Sequence, residues 1–173
     1  MLDRRSALAS AKPYASPVLQ IGEAREFSLL QVAGTAKAIT PITGKLPNKI
    51  GVATQSDGRI LMRTGENQFW LIGPENDDIA TKLSDLAIVT PLSHSRTRMF
   101  IEGAPGRDVL AKGIPLDFHP TVFKTGTFAM TGVHHTPVLV HCVNENRFEI
   151  YALRTFALSV YDWLTDAALE FAA

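Results

Sequence analysis

The chain has 173 residues, of which 46% are hydrophobic and 20% charged, and this composition is typical of one globular domain or of two small halves that share a core. Lysine plus arginine number 17 and aspartate plus glutamate also number 17, so no net positive charge attracts phosphate backbones and nucleic acid is disfavoured as a partner. A single cysteine and the lack of an apolar segment long enough to cross a bilayer exclude an internal disulfide framework and predict a cytoplasmic protein without a membrane partner.

The first half of the chain predicts an N-terminal arm followed by an α+β half. Residues 1–16 are small, polar and interrupted by proline, as is usual for an arm that becomes ordered on a partner. Residues 17–93 form the first α+β half. Its predicted elements are strands at 17–21, 26–33, 59–63, 67–72 and 88–92, a loop at 45–58 that ends in an Asp57-Gly58 turn, and helices at 35–43 and around Ile79, Leu83 and Leu86. This order of elements is that of ferredoxin-like folds.

Residues 94–173 predict a second α+β half that repeats much of the first. Its predicted elements are strands at 96–102, 127–133, 138–143 and 147–152, and helices at 103–112 and 155–171. The segments VAGTAKAITPITGKLP and IEGAPGRDVLAKGIPLD have the same order of strand, glycine, helix, glycine and proline. We therefore predict an α+β fold of two ferredoxin-like halves from an internal repeat, with antiparallel sheets and helices packed on one face.

The spacing within the repeat predicts one further strand in the second half. Gly34 and Gly103 are 69 positions apart, and so are Gly44 and Gly113. In contrast, Phe69 of ENQFWLI and Phe148 of ENRFEIY are 79 positions apart. The additional ten residues are enough for a strand.

The segment LSHSRTRMFIEG, residues 92–103, lies where the two halves join and is rich in polar side chains. If it is a strand, Ser93 and Ser95 share one face and His94 lies on the other, so adjacent residues cannot form a nucleophile and its base. We interpret the segment as a polar junction.

Two arginines of this junction and one tryptophan are the predicted interface or seam residues. Arg96 and Arg98 share one strand face, where they form either an anion clamp or, as we favour, ion pairs across the seam or to a partner. Trp163, in the C-terminal helix, is the third of these residues.

The histidines do not predict a metal site. His134 and His135 fall at a hairpin turn, and His141 and Cys142 alternate between strand faces, so four ligands do not converge. Cys142 is instead a small core residue. His119, in the LDFHP loop, is predicted to pack in a turn. The residues thus predict no catalytic, cofactor-binding or metal-binding group in this chain.

Three segments resemble the gamma subunit family of heterotetrameric sarcosine oxidase. The central block PLSHSRTRMFIEGAPGRDVLAKGIPLDFHPTVFKTGTFAMT contains S-x-x-R-T, then G-x-x-x-R-x-x-L-x-K-G, then L-D-x-H-P and a following phenylalanine. The C-terminal RFEIYALRTFALSVYDWL and the hairpin ENQFWLIGP are also similar to segments of that family. The resemblance covers the chain from about Pro17 to its C-terminus.

The resemblance implies a fold similar to the first part of the folate-binding aminomethyltransferase of the glycine cleavage system. It also implies a complex with alpha, beta and delta subunits, on which FAD, FMN, NAD, tetrahydrofolate and zinc are bound. That complex demethylates sarcosine oxidatively to glycine, transfers the one-carbon unit to tetrahydrofolate and passes electrons to oxygen. No catalytic residue of the gamma subunit carries over to this chain, which leaves a non-catalytic structural subunit as the first hypothesis.

Other functions stay open at this point. The fold similarity also suits a free-standing folate-binding or aminomethyl-transferring protein. Related complexes such as N-methylglutamate dehydrogenase use similar small subunits. A hydrolase that depends on a metal or on His134, His135 or His141 is the third alternative.

Overall fold

Two antiparallel sheets carry the helices in the computed structural model, which describes residues 5–172. The strands are β1 (Tyr14–Ala15), β2 (Gln20–Glu23), β3 (Phe27–Ala33), β4 (Ala53–Ser56), β5 (Arg59–Gly65), β6 (Gln68–Pro74), β7 (Ile88–Pro91), β8 (Arg96–Glu102), β9 (Phe128–Val133), β10 (Thr136–Asn144) and β11 (Arg147–Leu153). The helices are α1 (Ala36–Thr43), α2 (Ile79–Leu83), α3 (Gly106–Ala111) and α4 (Ala157–Ala167). The predicted α+β class with two ferredoxin-like halves is confirmed.

Each sheet belongs to one compact unit. The first unit comprises residues 25–94 and 126–128, and its strand order is β4-β5-β6-β3-β7. The second unit comprises residues 5–24, 95–125 and 129–172, and its strand order is β1-β2-β8-β11-β10-β9. Within the described residues, none of the helices combines the length and apolar character needed to cross a bilayer.

The core of the first unit lies between one sheet face and two short helices. Val32 of β3, Ile39 of α1 and Leu83 of α2 are fully buried there. The Thr35 side chain accepts a hydrogen bond from the Ala38 N–H at the start of α1, and Gly44, at φ 77°, ends it, as predicted. α2 is shorter than predicted because it ends at Leu83, and this leaves Leu86 exposed.

Residues 53–56, predicted as part of a loop, form β4. The sequence ATQS lacks the apolar alternation that identifies a strand, so the pattern did not reveal it. The predicted turn is confirmed: Asp57 and Gly58 both have positive φ, and Ser56 pairs with Arg59 across them.

The core of the second unit is larger and contains the longest helix. Val160, Tyr161 and Leu164 of α4 pack with strand residues such as Ile150. The helix predicted at 155–171 is α4 flanked by 3-10 turns at Arg154–Phe156 and Leu169–Phe171, which leaves Phe156 exposed.

The predicted boundary of the first half at residue 17 is wrong, because β2 belongs to the second sheet. Gln20 pairs with Glu102 and Glu23 pairs with Met99, both in β8. In the described part of the chain no strand follows α4. β2 takes the position next to β8 that β7 takes next to β3 in the first sheet. A strand that precedes the first unit therefore completes the sheet of the second.

The described part of the predicted arm, residues 5–16, packs on the second unit of its own chain. Leu8 is buried in the core, and the Tyr14 hydroxyl donates a hydrogen bond of 2.7 Å to the Ala168 carbonyl. The Tyr161 hydroxyl donates to the Lys12 carbonyl at 3.0 Å. The prediction that this segment becomes ordered only on a partner is wrong for these residues, since apolar burial and hydrogen bonds hold them.

The internal repeat is visible in the strand register. Val32 pairs with Phe69 in the first sheet, and Ile101 pairs with Phe148 in the second. Both phenylalanines are fully buried. The predicted additional strand is wrong, because the additional residues lengthen the connection between α3 and β9 and the strands β9 and β10, and the sixth strand of the sheet comes from residues 14–15.

We expect Gly103→Ala to lower the free energy of unfolding by more than about 2 kcal/mol. Gly103 has φ 140°, and an added Cβ would lie 2.1 Å from the Val18 carbonyl oxygen, which leads into β2. The control is Gly58→Ala, where φ is 73° and an added Cβ meets no atom within 4 Å, so that backbone strain alone costs about 1 kcal/mol. Urea denaturation measures both values, and equal losses would contradict the close approach of residue 18 to residue 103.

Candidate functional site

Four polar side chains, three of them buried and one half-buried, lie together on the helix-free face of the second sheet. Arg98 comes from β8, His141 from β10, and Glu149 and Tyr151 from β11. The strand register places Tyr151 opposite Arg98 and Glu149 opposite His141. Alternation along these strands sends the neighbours of these residues, such as Ile150, into the core on the helix side.

Glu149 is the centre of this cluster. The Arg98 Nη2 donates to Glu149 Oε1 at 2.6 Å, and the Tyr151 hydroxyl donates to Glu149 Oε2 at 2.8 Å. His141 Nδ1 lies 3.9 Å from Glu149 Oε2, which is too long for a hydrogen bond. The side chain of Glu149 is 3% exposed, so the pair with Arg98 is largely desolvated.

The cluster keeps Glu149 ionised. Burial by itself raises the pKa of this carboxyl, but the neighbouring His141, the Arg98 guanidinium and the Tyr151 hydroxyl together lower it to about 2. Of these groups, Arg98 and Tyr151 are at hydrogen-bonding distance. Burial, together with the charge of Glu149, raises the pKa of Tyr151 well above its ordinary value.

This arrangement is suited to holding the sheet together. Both oxygens of Glu149 accept hydrogen bonds from the protein, and these bonds offset the free-energy cost of burying the carboxylate. Two open clefts of about 450 and 480 Å³ are formed elsewhere, one by residues 10–14 with α4 and the other by residues 55–60.

The three predicted interface or seam residues do not form one group. Arg98 is in the buried cluster, and Arg96 lies on the same face of β8 but donates to the Ser95 carbonyl and hydroxyl at 3.3 and 3.2 Å. Trp163 lies on the helix side of the sheet, where an added Cβ at Gly113 would be 2.5 Å from its ring and where His134 packs against it edge to face. A role of these residues at an interface stays a prediction.

The segment that joins the units is a turn and not a strand, so the prediction that Ser93 and Ser95 share a strand face is wrong. The Ser93 hydroxyl accepts a hydrogen bond of 2.9 Å from the Leu29 N–H in the first unit. The Ser95 carbonyl accepts one of 2.9 Å from the Arg154 N–H in the second. The two serines thus attach the ends of the turn to different units.

The histidines are dispersed. His134 lies in the hairpin turn between β9 and β10, whereas His141 is buried in the cluster around Glu149. Among residues 5–172, no three histidine, cysteine, aspartate or glutamate side chains are grouped in a way that could hold a metal ion. Cys142 is buried among Val138 and Val140, as predicted for a core residue, and burial raises the pKa of its thiol.

Sequence reasoning missed Arg107, which organises the loop between α3 and β9. Its guanidinium donates to the Phe118 carbonyl at 2.6 Å and to the Phe123 carbonyl at 3.1 Å, and it lies 5.0 Å from the centre of the Phe148 ring. The three phenylalanine rings contact one another at 5.5 to 6.4 Å. The available signal was the arginine of the G-x-x-x-R-x-x-L-x-K-G motif.

Comparisons with known proteins agree on one family. A family model described as "Sarcosine oxidase, gamma subunit family" matches residues 51–170. The sarcosine oxidase subunit gamma of Corynebacterium sp. (strain P-1) is 30% identical over 134 residues, which are 74% of this chain and 66% of the relative. The subunit of the same name from Arthrobacter sp. is 29% identical over 147 residues, which are 82% of this chain and 72% of the relative.

Solved structures extend this similarity to the fold. A chain of the heterotetrameric sarcosine oxidase from Corynebacterium sp. U-96, in complex with pyrrole 2-carboxylate, matches with a TM-score of 0.88, 25% identity and coverage of 98% of this chain and 97% of that one. The glycine cleavage system aminomethyltransferase T from Bartonella henselae matches at a TM-score of 0.64 and 16% identity over 86% of this chain and 46% of that one. This second likeness shows the fold alone, which is the fold that the resemblance implied.

We expect Glu149→Gln to lower the free energy of unfolding at neutral pH by about 3 kcal/mol, since it breaks a buried ion pair. The pKa of Glu149 is about 2 in the folded chain against an ordinary 4.5, so its ionised form stabilises the fold fully above pH 4.5. That stabilisation disappears as the pH falls towards 2.

Denaturation of both proteins between neutral and acid pH should therefore show a difference that shrinks below about pH 4.5. Glu102→Gln is the control, because Glu102 pairs with Arg147 at the surface and its loss should cost less than about 1 kcal/mol. A wild-type advantage over Glu149→Gln that does not change with pH would contradict the role of the carboxylate.

We expect Arg107→Met to cost about 2–4 kcal/mol, because two buried carbonyls lose a charged donor. The loop at residues 113–127 should also become more sensitive to limited proteolysis. Arg147→Met is the matched control: Arg147 also lies over a phenylalanine ring, Phe100, at 4.5 Å, but its partner Glu102 is exposed. Equal effects of the two substitutions on stability and cleavage would show that the two carbonyl contacts are unimportant.

Proposed function

The chain belongs to the sarcosine oxidase gamma subunit family, and we propose that it is a structural subunit of a sarcosine oxidase complex, with catalysis performed by the other subunits. The observation that carries this proposal is the match of nearly the whole chain to a chain of the heterotetrameric enzyme at a TM-score of 0.88. A match of this extent leaves no additional domain among residues 5–172 in which a separate activity would reside.

The charged side chains of the described residues that are buried or half-buried bind other groups of the same chain, and this supports a structural role. Glu149 and Arg98 neutralise each other, and Arg107 is occupied by loop carbonyls. Asp77 is likewise paired with Arg59 at 2.5 Å, and this guanidinium holds the pKa of Asp77 below its ordinary value against the opposing effect of burial. These charged groups stabilise the fold through contacts within the chain, and Arg59, which lines the cleft at residues 55–60, is itself paired with Asp77.

Exposed apolar side chains support a role in assembly. Large hydrophobic residues that are more than half exposed occur in both units. They are Ile50 and Ile88 in the first unit and Val122, Met130 and Leu169 in the second. Such residues are covered when a subunit binds its partners in a permanent complex.

The resemblance supports the finer assignment of partners and cofactors. The proposed partners are the alpha, beta and delta subunits, which bind FAD, FMN, NAD, tetrahydrofolate and zinc. The proposed reaction is the oxidative demethylation of sarcosine to glycine, in the cytoplasm. The likeness to aminomethyltransferase T shows a shared fold and supports no folate site on this chain.

Affinity purification of the tagged chain from its native host tests the proposal. We expect flavin-bearing partners to be recovered with it and oxygen uptake to depend on sarcosine. Assays with other N-methyl amino acids decide whether the complex is instead a related dehydrogenase. Recovery of the chain without partners would contradict membership of a complex.

Assays of the purified chain without its partners test whether it has a catalytic or folate-binding site of its own. We expect no oxidation of sarcosine and no saturable binding of tetrahydrofolate by the isolated chain. We also expect it to self-associate at micromolar concentration, because its exposed apolar side chains are uncovered. Turnover without partners, or tight folate binding, would show that the chain carries a site of its own.

A further inference from the structure

β7 is an edge strand whose outer side is open. Within its sheet it is hydrogen-bonded to β3 alone. Ile88 is 73% exposed, the highest value among the large hydrophobic residues that the structure describes. Thr90 and Pro91 are exposed as well, and the strand IVTP carries no charge. Edge strands are usually protected from further pairing by charged side chains, and here Pro91 is the only such device.

The register identifies the backbone groups on the outer side. The Leu92 N–H donates to the Leu29 carbonyl at 2.8 Å, and Val89 pairs with Val32. Because hydrogen-bonded and non-bonded pairs alternate in an antiparallel ladder, Ile88 and Thr90 turn their backbone groups towards β3. The outer side therefore offers the N–H and carbonyl of Val89 and the carbonyl of Pro91, which has no N–H.

The other sheet of the same chain shows what such an edge can bind. β2 lies outside β8 as β7 lies outside β3. On its outer side β2 carries β1, a short antiparallel strand with Tyr14 opposite Ile21 and Ala15 opposite Gln20. The repeated fold thus accepts one more short strand at this position, and in the first unit that position is open.

We propose that the outer edge of β7 is the docking site for an extended segment of another subunit of the complex, which adds to the first sheet as an antiparallel strand. The segment would place an apolar side chain beside Ile88, since cross-strand neighbours on one face stabilise a sheet. This inference rests on the proposed function and names the part of the surface that performs it.

The backbone groups favour a different chain over a second copy of this one. If two β7 strands pair about Val89, each Pro91 carbonyl faces the Ala87 N–H of the other copy. That N–H already donates to the Leu83 carbonyl at 3.0 Å, so only two hydrogen bonds form. A strand of another subunit has its own free N–H at that place and satisfies all three outer groups.

The test uses the co-expressed complex with Ile88→Lys in this chain. A lysine on an edge strand opposes pairing, and at a 73% exposed position it should leave the melting temperature of the chain unchanged. We expect the affinity for the partner subunits to fall at least tenfold. Gln55→Lys, at the exposed position of β4, which is the opposite edge strand of the same sheet, is the control and should not change the affinity.

Amide hydrogen exchange gives a second readout at a single group. On assembly the exchange of the Val89 N–H should slow at least a hundredfold, whereas the Thr90 N–H, already directed to β3, should change little. A strand added at the edge predicts this difference between adjacent amides, and contact of side chains alone does not.

The outcomes separate this inference from the function on which it rests. A complex that forms equally well with Ile88→Lys, and in which Val89 gains no protection, overturns the docking site and leaves the subunit role intact. A homodimer of the isolated chain that Ile88→Lys abolishes, with unchanged binding of partners, assigns the edge to a second copy and also overturns it. Failure to recover any complex removes the proposed function and the docking site together.

Discussion

The pairing of β2 with β8 is the constraint on which the rest of the structure depends. Up to residue 172, the second half of the chain supplies four strands and two α-helices but no strand to follow α4. Residues 20–23, which precede the entire first unit, take that place. The Tyr161 hydroxyl, whose one proton is shared between the Lys12 and Ile21 carbonyls, lies 3.3 Å from the latter, so the helix packed beneath the sheet also contacts the added strand. The second unit is therefore not a contiguous piece of the chain.

The residues that identify the family are mostly those that build this architecture. Gly103 allows the chain to pass against the Val18 carbonyl, and Gly113 allows the Trp163 ring to lie against the backbone. Lys112 donates to the Ala167 carbonyl at 2.6 Å and pairs with Glu170 at 2.5 Å, which joins α3 to the end of α4. The arginine and the lysine of this motif, Arg107 and Lys112, donate to backbone carbonyls of the same chain.

Local patterns in the sequence were sufficient for most elements and insufficient for their pairing. β8 has the predicted bounds, and burial alternates along it, with Met99 and Ile101 on the core face. Nothing in residues 20–23 indicates which of two similar sheets they join, since the alternation of a strand describes its faces and not its neighbour. β4 was missed because its side chains are polar or small.

The buried cluster shows the same limit at the level of side chains. The alternation along β11 indicates that Glu149 and Tyr151 lie on the face opposite the core. A glutamate on that face is expected to be exposed to solvent unless its partner is known. The partner is Arg98, 51 positions earlier in the chain. Sequence reasoning singled out Arg98 and favoured an ion pair for it, and it had no means of choosing the carboxylate.

The position of β2 has a consequence for how the protein is made. On the ribosome residues 20–23 emerge early, but their partner strand ends at Glu102 and the helix that covers both follows at residue 157. The five strands of the intervening unit are synthesised before β8, whereas β2 stays without its sheet until translation is almost complete. Such distant pairing also slows folding. During synthesis Ile21, which is buried in the finished sheet, is therefore exposed to chaperones and to pairing with the wrong strand.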